Sequence, residues 1–354
     1  MKKDQKTFIS GVETLLLDTT LIQDEEIAAP AIIKRRTKRH SRTLPLRVGT
    51  RRSPLALVQT RNFLDILRGV CPVLRGMNVF EEHAIQTTGD AVLDRRLADI
   101  GGKGLFAKEI DEAQIDGRID FAVHSLKDLE THLPPGIILA CTLKREDARD
   151  TIIFGHPVDP TENPYDTLPH GALVGTSSVR RQAQLLHARP DLQMTTIRGN
   201  VQSRLAKVRA GDCHASLLAL AGLKRLGMEH EASVILDPDV MVPSAAQGVV
   251  GVTVHEDDIE LLEMLKAIED PEARAVSTAE RALLAVLDGS CHTPIGGHAR
   301  LLPNGRLRLT GLVARADGSF LLKRTLEGLP KHAQELGEEL GWSLKLDTPK
   351  DVFN

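Results

Sequence analysis

The sequence predicts an α/β protein built from two similar lobes with a cleft between them, followed by a small α+β domain. Three observations carry this. From Leu44 onward short apolar strands alternate with helical patterns, the signature of parallel βαβ units whose ligands gather at the carboxyl ends of strands. Two stretches read alike: Leu46-Arg47-Val48-Gly49-Thr50-Arg51-Arg52-Ser53 enters a helix at Pro54, and Leu173-Val174-Gly175-Thr176-Ser177-Ser178 enters one at Val179. Beyond Pro271 the pattern changes: Ala275, Ala279, Ala282, Leu283, Val286 and Leu287 form a helical stripe, Leu307, Leu309 and Gly311 alternate with polar residues, and Asp317-Gly318 marks a hairpin turn.

Each lobe opens with a strand, a Gly-Thr turn and a serine placed to cap the next helix, and Pro54 suits a first helical position. A later strand in each ends in a polar or glycine-rich turn: Phe121-Ala122-Val123-His124-Ser125-Leu126-Lys127-Asp128, and Ala215 to Gly222. Residues 1–43 differ, combining Asp24-Glu25-Glu26 with the basic run from Lys34 to His40 without core periodicity, and read as a flexible N-terminal extension. Its acids, Asp4, Glu13 and Asp18 among them, argue against a transit peptide.

A chain of 354 residues suffices for two or three domains. Lys+Arg 45 against Asp+Glu 48 leaves a net charge of −3, so no global basic field points to nucleic acid or an anionic membrane. One Trp and one Tyr give no stacking platform for single strands, and no apolar run approaches a membrane span. Cys71, Cys141, Cys213 and Cys291 lie far apart without a C-x-x-C pair, so neither a metal site nor a disulfide framework is expected, and a reducing cytoplasm fits.

The best ligand signal lies at helix starts. A buried face of Val179, Ala183 and Leu186 places Arg180 and Arg181 in a first turn, where the helix dipole opposes cations and an anion is wanted nearby. Arg198-Gly199-Asn200 with Arg204, and Arg51-Arg52 before Ser53, repeat that pattern. Neither a Walker motif nor G-x-G-x-x-G occurs, so carboxylates are the better match than nucleotide phosphates. Gly101-Gly102-Lys103-Gly104 reads as an ordinary flexible loop or as a lid over the cleft. Lys127-Asp128 stands at a strand end, as a plain ion pair or as an acid that could protonate a leaving amine or face a developing cation. His124 on the same strand reads as a core histidine bonded to backbone. Cys291, flanked by glycines in Gly289-Ser290-Cys291-His292-Thr293-Pro294-Ile295-Gly296-Gly297, is more available as a nucleophile than a strand cysteine such as Cys141.

Val48-Gly49-Thr50-Arg51-Arg52-Ser53-Pro54-Leu55-Ala56-Leu57, Thr87-Thr88-Gly89-Asp90, Gly101 to Phe106, Val123 to Asp128, Gly175 to Gln182, Arg198-Gly199-Asn200, Ala221 to Gly227, Gln247-Gly248 and the Cys291 segment occur in the order of one family. From about Leu44 to the C-terminus the chain resembles porphobilinogen deaminase, also called hydroxymethylbilane synthase. The resemblance implies two periplasmic-binding-protein-like lobes and a third domain whose cysteine, here Cys291, holds one dipyrromethane cofactor per chain by a thioether. On that primer four porphobilinogen molecules are condensed head to tail, each losing ammonia, before hydrolysis releases hydroxymethylbilane.

Carried over by motif, Asp128 would be the catalytic residue, handling protons and stabilising the azafulvenium cation. Arg51, Ser53, Lys127, Thr176, Ser178, Arg180, Arg181, Arg198, Gly199, Arg204, Arg225 and Gln247 would bind cofactor or substrate, with Gly101, Gly102, Lys103 and Gly104 as the lid loop. The implied domains are 44–145 with 247–268, then 146–246, then 269–354, in a cytoplasmic monomer. Departures are Gly289-Ser290-Cys291 for the family's frequent Gly-Gly-Cys, Ala246-Gln247-Gly248 for Gly-Gln-Gly, and Leu129-Glu130 for Val-Pro. A bilobal binding protein or sensor for a polycarboxylate is the alternative, and it would leave Asp128 and Cys291 idle.

Overall fold

A computed structural model describes residues 44–71, 74–75, 78–92, 104–159, 161–288 and 293–353, and three β-sheets organise them. The expected extension over 1–43, the glycine-rich segment through Lys103, and Cys291 lie outside the described residues.

The first lobe runs β1 (Leu46–Arg51), α1 (Pro54–Val70), β2 (Phe80–Ile85), α2 (Thr88–Ala91), α3 (Lys108–Ile115), β3 (Phe121–Ser125) and β4 (Ile137–Thr142). The chain then crosses into β5 (Asp150–Phe154), β6 (Leu173–Gly175), α4 (Val179–Ala188), β7 (Gln193–Thr195), α5 (Val201–Arg209), β8 (Ala215–Ala219), α6 (Leu220–Arg225) and β9 (Val234–Ile235). It returns to the first lobe through β10 (Val250–His255) and α7 (Ile259–Lys266). The sheet orders are β2-β1-β3-β10-β4 and β7-β6-β8-β5-β9, so both lobes have the same plan, with the strand entering from the other lobe in fourth place. That strand runs antiparallel to its neighbours in each case, so the sheets are mixed rather than wholly parallel.

The cap positions are as read. Ser53 Oγ accepts from Ala56 N at 3.3 Å with Pro54 beginning α1, and Ser178 Oγ accepts from Arg181 N at 3.4 Å. In the first lobe Phe63 and Phe121 meet edge to face at 5.7 Å within a core that includes Val48, Leu67 and Val252. Burying such a phenyl ring stabilises by roughly 2–3 kcal/mol. The second core gathers Ile152, Val174, Leu185, Leu217 and Leu236. Its α4 face is rotated from the expected one: Arg180, Arg181, Gln184 and Leu185 are buried with Ala183, while Val179 and Leu186 are only half-buried. Two arginines occupy the core side because a buried carboxylate meets them there.

The last domain packs α8 (Pro271–Val286) and α9 (Ala333–Asp347) on an antiparallel sheet of β11 (Ile295–Leu301), β12 (Leu307–Ala314) and β13 (Leu321–Gly328). The turn at Asp317-Gly318 joins β12 to β13 as expected. β12 is buried almost throughout instead of alternating, because Leu307, Leu309 and Val313 face the helices while Leu312 and Ala314 pack against Ala183 and Val242 of the second lobe. Helix α9 lies beyond the expected elements, with Ala333, Leu336, Leu340 and Leu344 on its buried face. Its Gly337 and Gly341 permit close approach to α8, since a Cβ on Gly337 would lie 2.3 Å from the Ala279 carbonyl.

Candidate active site

β1 and β3 are neighbours, so their carboxyl ends deliver side chains to one place. β1 ends at Arg51, and after β3 buried Leu126 anchors a 3-10 turn, Leu126–Asp128, that leaves Lys127 and Asp128 at the sheet edge. Arg51 Nη1 donates to Asp128 Oδ2 at 2.8 Å, while its Nε and Nη2 donate to Asp90 at 3.0 and 2.5 Å. The Phe106 ring lies over the guanidinium at 4.2 Å. Burial disfavours these charges, yet Asp90 and Asp128 raise Arg51 above its ordinary value, and Arg51 holds Asp90 below the usual carboxylate range.

Facing this edge, the second lobe supplies the helix-start arginines. Arg180 Nη2 and Arg181 Nη2 each donate to one oxygen of fully buried Asp150 at 2.8 Å. Their Nη1 groups donate to the Val242 and Leu217 carbonyls at 2.6 and 2.9 Å. The anion these arginines call for is therefore an internal aspartate. Arg181 Nε is nonetheless buried without a partner. Arg198 Nη2 reaches across to the Gly89 carbonyl of the first lobe at 2.9 Å. Gly199 adopts a left-handed φ of 115°, where a Cβ would meet Ser203 Oγ at 2.2 Å. Arg204 Nε donates to the Gly199 carbonyl at 2.9 Å, and burial, then Arg181 and Arg198, lower its guanidinium to about 10. Thr176 is buried and its Oγ1 accepts from Ser178 N at 3.1 Å. Arg225 Nη2 donates to the Gly248 carbonyl at 2.6 Å.

The family model described as "Porphobilinogen deaminase, dipyromethane cofactor binding domain" matches residues 46–263, and that of the porphobilinogen deaminase C-terminal domain matches 275–345. The chain belongs to the porphobilinogen deaminase family. It is 46% identical over 299 residues to the porphobilinogen deaminase of Nitrobacter winogradskyi, covering 84% of this chain and 92% of that one. Against the chloroplastic porphobilinogen deaminase of Oryza sativa subsp. japonica it is 44% identical over 312 residues, covering 87% and 86%. A solved arginine-specific periplasmic binding protein of Salmonella typhimurium aligns over 64% of this chain and 92% of that chain, with 13% identity and a TM-score of 0.36.

In this deaminase-family chain one expected ligand residue has another task. Gln247 is fully buried, its Nε2 donating to the Ala148 carbonyl at 2.7 Å and Asp150 Oδ1 at 2.8 Å. Its Oε1 accepts from Lys127 Nζ at 3.2 Å and Ser244 Oγ at 3.3 Å. An amide has two donor hydrogens and two lone pairs, so this side chain is saturated by protein and not free for a ligand. Lys127 is exposed to the cleft although protein surrounds it. Desolvation from that enclosure, with Arg181 and Arg180 nearby, lowers its ammonium towards about 8 against the pull of Asp128 and Asp150.

His124 is a core residue as read, but its Nε2 pairs with Thr253 Oγ1 at 3.0 Å rather than with backbone, and burial, then Arg51, lowers it to about 4, so it is neutral. Buried Cys141 is pushed up to about 12 and is inert as a thiolate. Two of the departures find their places: Ala246 takes a left-handed φ of 60° where the family often has glycine, and Glu130 Oε1 accepts from Gly104 N at 2.6 Å, while Gly289-Ser290-Cys291 lies outside the described residues.

Asp90, Phe106 and Asp150 were not assigned roles from sequence. The signal for Asp150 is an acid opening the apolar strand Thr151-Ile152-Ile153-Phe154, and Asp90 and Phe106 sit inside quoted motifs. A dipyrromethane group, with carboxylates on each ring, fits what the described residues offer: the unpartnered Arg181 Nε, the Lys127 ammonium with its single protein acceptor, and Arg198 and Arg204. Among the described residues there is no cluster of three or more His, Cys, Asp or Glu suited to a metal, and no helix long and apolar enough to cross a membrane.

Proposed function

We propose that the chain is a hydroxymethylbilane synthase that joins four porphobilinogen molecules head to tail with loss of ammonia and releases hydroxymethylbilane. The observation that carries this reading is the Arg51–Asp128 pair at the edge of one lobe opposite Arg181, Arg198 and Arg204 of the other. In each round the aminomethyl C–N bond breaks, nitrogen leaves as ammonia with an added proton, and a new C–C bond forms with loss of a pyrrole ring proton. Asp128 is the group to hold and move those protons and to face the cation that develops at the methylene carbon. Arg51 fixes one Asp128 oxygen through Nη1, and Asp90 accepts from its Nε and Nη2. Phe106 covers Arg51 against water.

Lys127, Arg180, Arg181, Arg198, Arg204 and Arg225, with the polar groups of Ser53, Thr176, Ser178 and Gly199, supply a cationic lining for acetate and propionate groups. Arg180 and Arg181 do so from a position already set by Asp150. Dipyrromethane, when bound, supplies the pyrrole carbon to which the first substrate is joined, and Cys291 is its thioether anchor. Gly101 to Gly104 serve as a lid loop. Domains of 44–145 with 247–268, 146–246 and 269–354, a monomeric state, a cytoplasmic location, and no nucleic-acid or membrane partner complete the reading. A binding protein without turnover is disfavoured, since the relatives above carry the name of an enzyme.

The test combines turnover and mass. Purified protein incubated with porphobilinogen and then oxidised should yield uroporphyrin, and its intact mass should show two added pyrrole units mapping to Cys291. Cys291→Ser should fold without adduct or activity, while Cys71→Ser, Cys141→Ser and Cys213→Ser keep both. An active protein with no adduct, or with its adduct elsewhere, would overturn the assignment.

A further inference from the structure

Helix α8 sends two consecutive side chains back into the lobes. Glu280, fully buried, accepts from Ala246 N and Ala299 N at 2.6 Å each and pairs with Arg145 at 2.6 Å, gripping the segment by which the chain returns to the first lobe. Arg281 grips the catalytic turn. Its Nη1 donates to the Leu129 carbonyl at 3.0 Å, and its Nη2 to the Glu130 and Thr131 carbonyls at 2.5 and 3.3 Å. Among the described residues no carboxylate forms an ion pair with it, and burial lowers its guanidinium to about 10. Withdrawing such a charge from water is costly, and the charge-assisted hydrogen bonds to three successive carbonyls are what offsets that cost, so the guanidinium and this backbone segment hold each other in place.

The segment in question begins one residue after Asp128. The 3-10 turn bearing Asp128 is closed by a single bond, Leu129 N to the Leu126 carbonyl at 3.2 Å, which leaves its exit weakly held from within. Leu129 packs with Leu126, Ala107, Ala246, Val249 and Ala273, the last also on α8, two turns before Arg281. Glu130, whose carbonyl Arg281 holds, accepts through its carboxylate from Gly104 N, two residues before the Phe106 that covers Arg51. One guanidinium thus fixes the exit of the turn, and through Glu130 the entry to the segment that carries Phe106.

We propose that Arg281 is a positioning residue for the condensation, locking the backbone that follows Asp128 to the helix that ends at Val286, shortly before Cys291 in sequence. The inference rests on the reading of Asp128 given above. A lysine ammonium is a point charge and cannot serve three carbonyls as a planar fork of donors does. A displacement of about 1 Å at a reacting group can cost roughly a hundredfold in rate.

The test uses holo-protein whose adduct has been verified by intact mass. Arg281→Ala should lower kcat on the order of tenfold to a hundredfold with a smaller change in KM, and Arg281→Lys should recover part of the loss. Arg274→Ala is the matched control: Arg274 lies on the same helix and donates to the Leu139 and Ala140 carbonyls, away from the turn, so its variant should lose stability yet keep its kcat. Wild-type kcat in Arg281→Ala, or a loss no greater than that of Arg274→Ala at equal thermal stability, would overturn the proposal. If Arg281→Ala does not fold, an unchanged kcat in Arg281→Lys overturns it equally. Asp128→Asn, measured alongside, separates the two ideas: normal turnover there defeats the reading of Asp128 itself, whereas an inactive Asp128→Asn beside a fully active Arg281→Ala defeats only the positioning role.

Discussion

Asp150 accepts from Arg181 at 2.8 Å with both side chains buried, and its second oxygen serves Arg180 at the same distance. The carboxylate is held below its usual range because the two guanidiniums outweigh a burial penalty of opposite sign. One of the two guanidinium charges is therefore balanced inside the second lobe before any ligand enters, and a net charge of +1 remains for a ligand carboxylate.

Removing that balance should be expensive. Asp150→Asn leaves two buried guanidiniums without a counterion, and a loss of about 3–5 kcal/mol is expected by urea denaturation. Since the folded-state value is depressed, the stability Asp150 contributes is present above the ordinary carboxylate range and is lost as pH falls through the folded-state value. A wild-type midpoint in Asp150→Asn would contradict the role given to the carboxylate.

At the Leu126–Asp128 turn, Asp128→Asn keeps size but removes both the transferable proton and the negative charge that the proposed mechanism requires. Turnover should drop on the order of a hundredfold or more, with a smaller loss for Asp128→Glu and little change in melting temperature for either. Steady-state formation of oxidisable product measures this directly.

Gln247→Leu tests the junction between the lobes. It would strip a hydrogen-bond partner from Lys127, Asp150 and the Ala148 carbonyl at once, and a destabilisation of about 3 kcal/mol is expected from the groups left unpaired. Turnover should fall as well, because Lys127 and Asp150 belong to opposite lobes. A stable, fully active Gln247→Leu protein would show that the junction is incidental.

Buried Asp111 sets a pH dependence of opposite sign. Burial, then Glu112 and Glu130, raise its carboxyl to about 6, and its Oδ1 has no partner. A raised folded-state value means that its contribution is fully present below the ordinary carboxyl range and is lost as pH rises through about 6. Asp111→Asn should therefore match wild type near pH 4 and be more stable at pH 8, by at most about 3 kcal/mol for a shift of roughly two units. Denaturation curves at the two pH values decide it, and equal differences at both would refute the assignment.

What the sequence by itself determined is local. Ser53 before Pro54, Ser178 before Val179, the hairpin at Asp317-Gly318 and the strand end at Lys127-Asp128 are legible because a cap, a turn or a strand terminus depends on neighbours within a few residues. Helix α9 escaped because Gly337 and Gly341 weaken its propensity and are explained only by the α8 surface they meet. Tertiary structure alone decided the partners. Asp150 lies 30 and 31 residues from the arginines it pairs with, Gln247 120 from Lys127, and Arg281 152 from Leu129. Such pairs are made by strand order and by the two crossings between lobes, and a charge pattern read along the chain shows that an arginine needs an anion without showing which anion the fold brings to it.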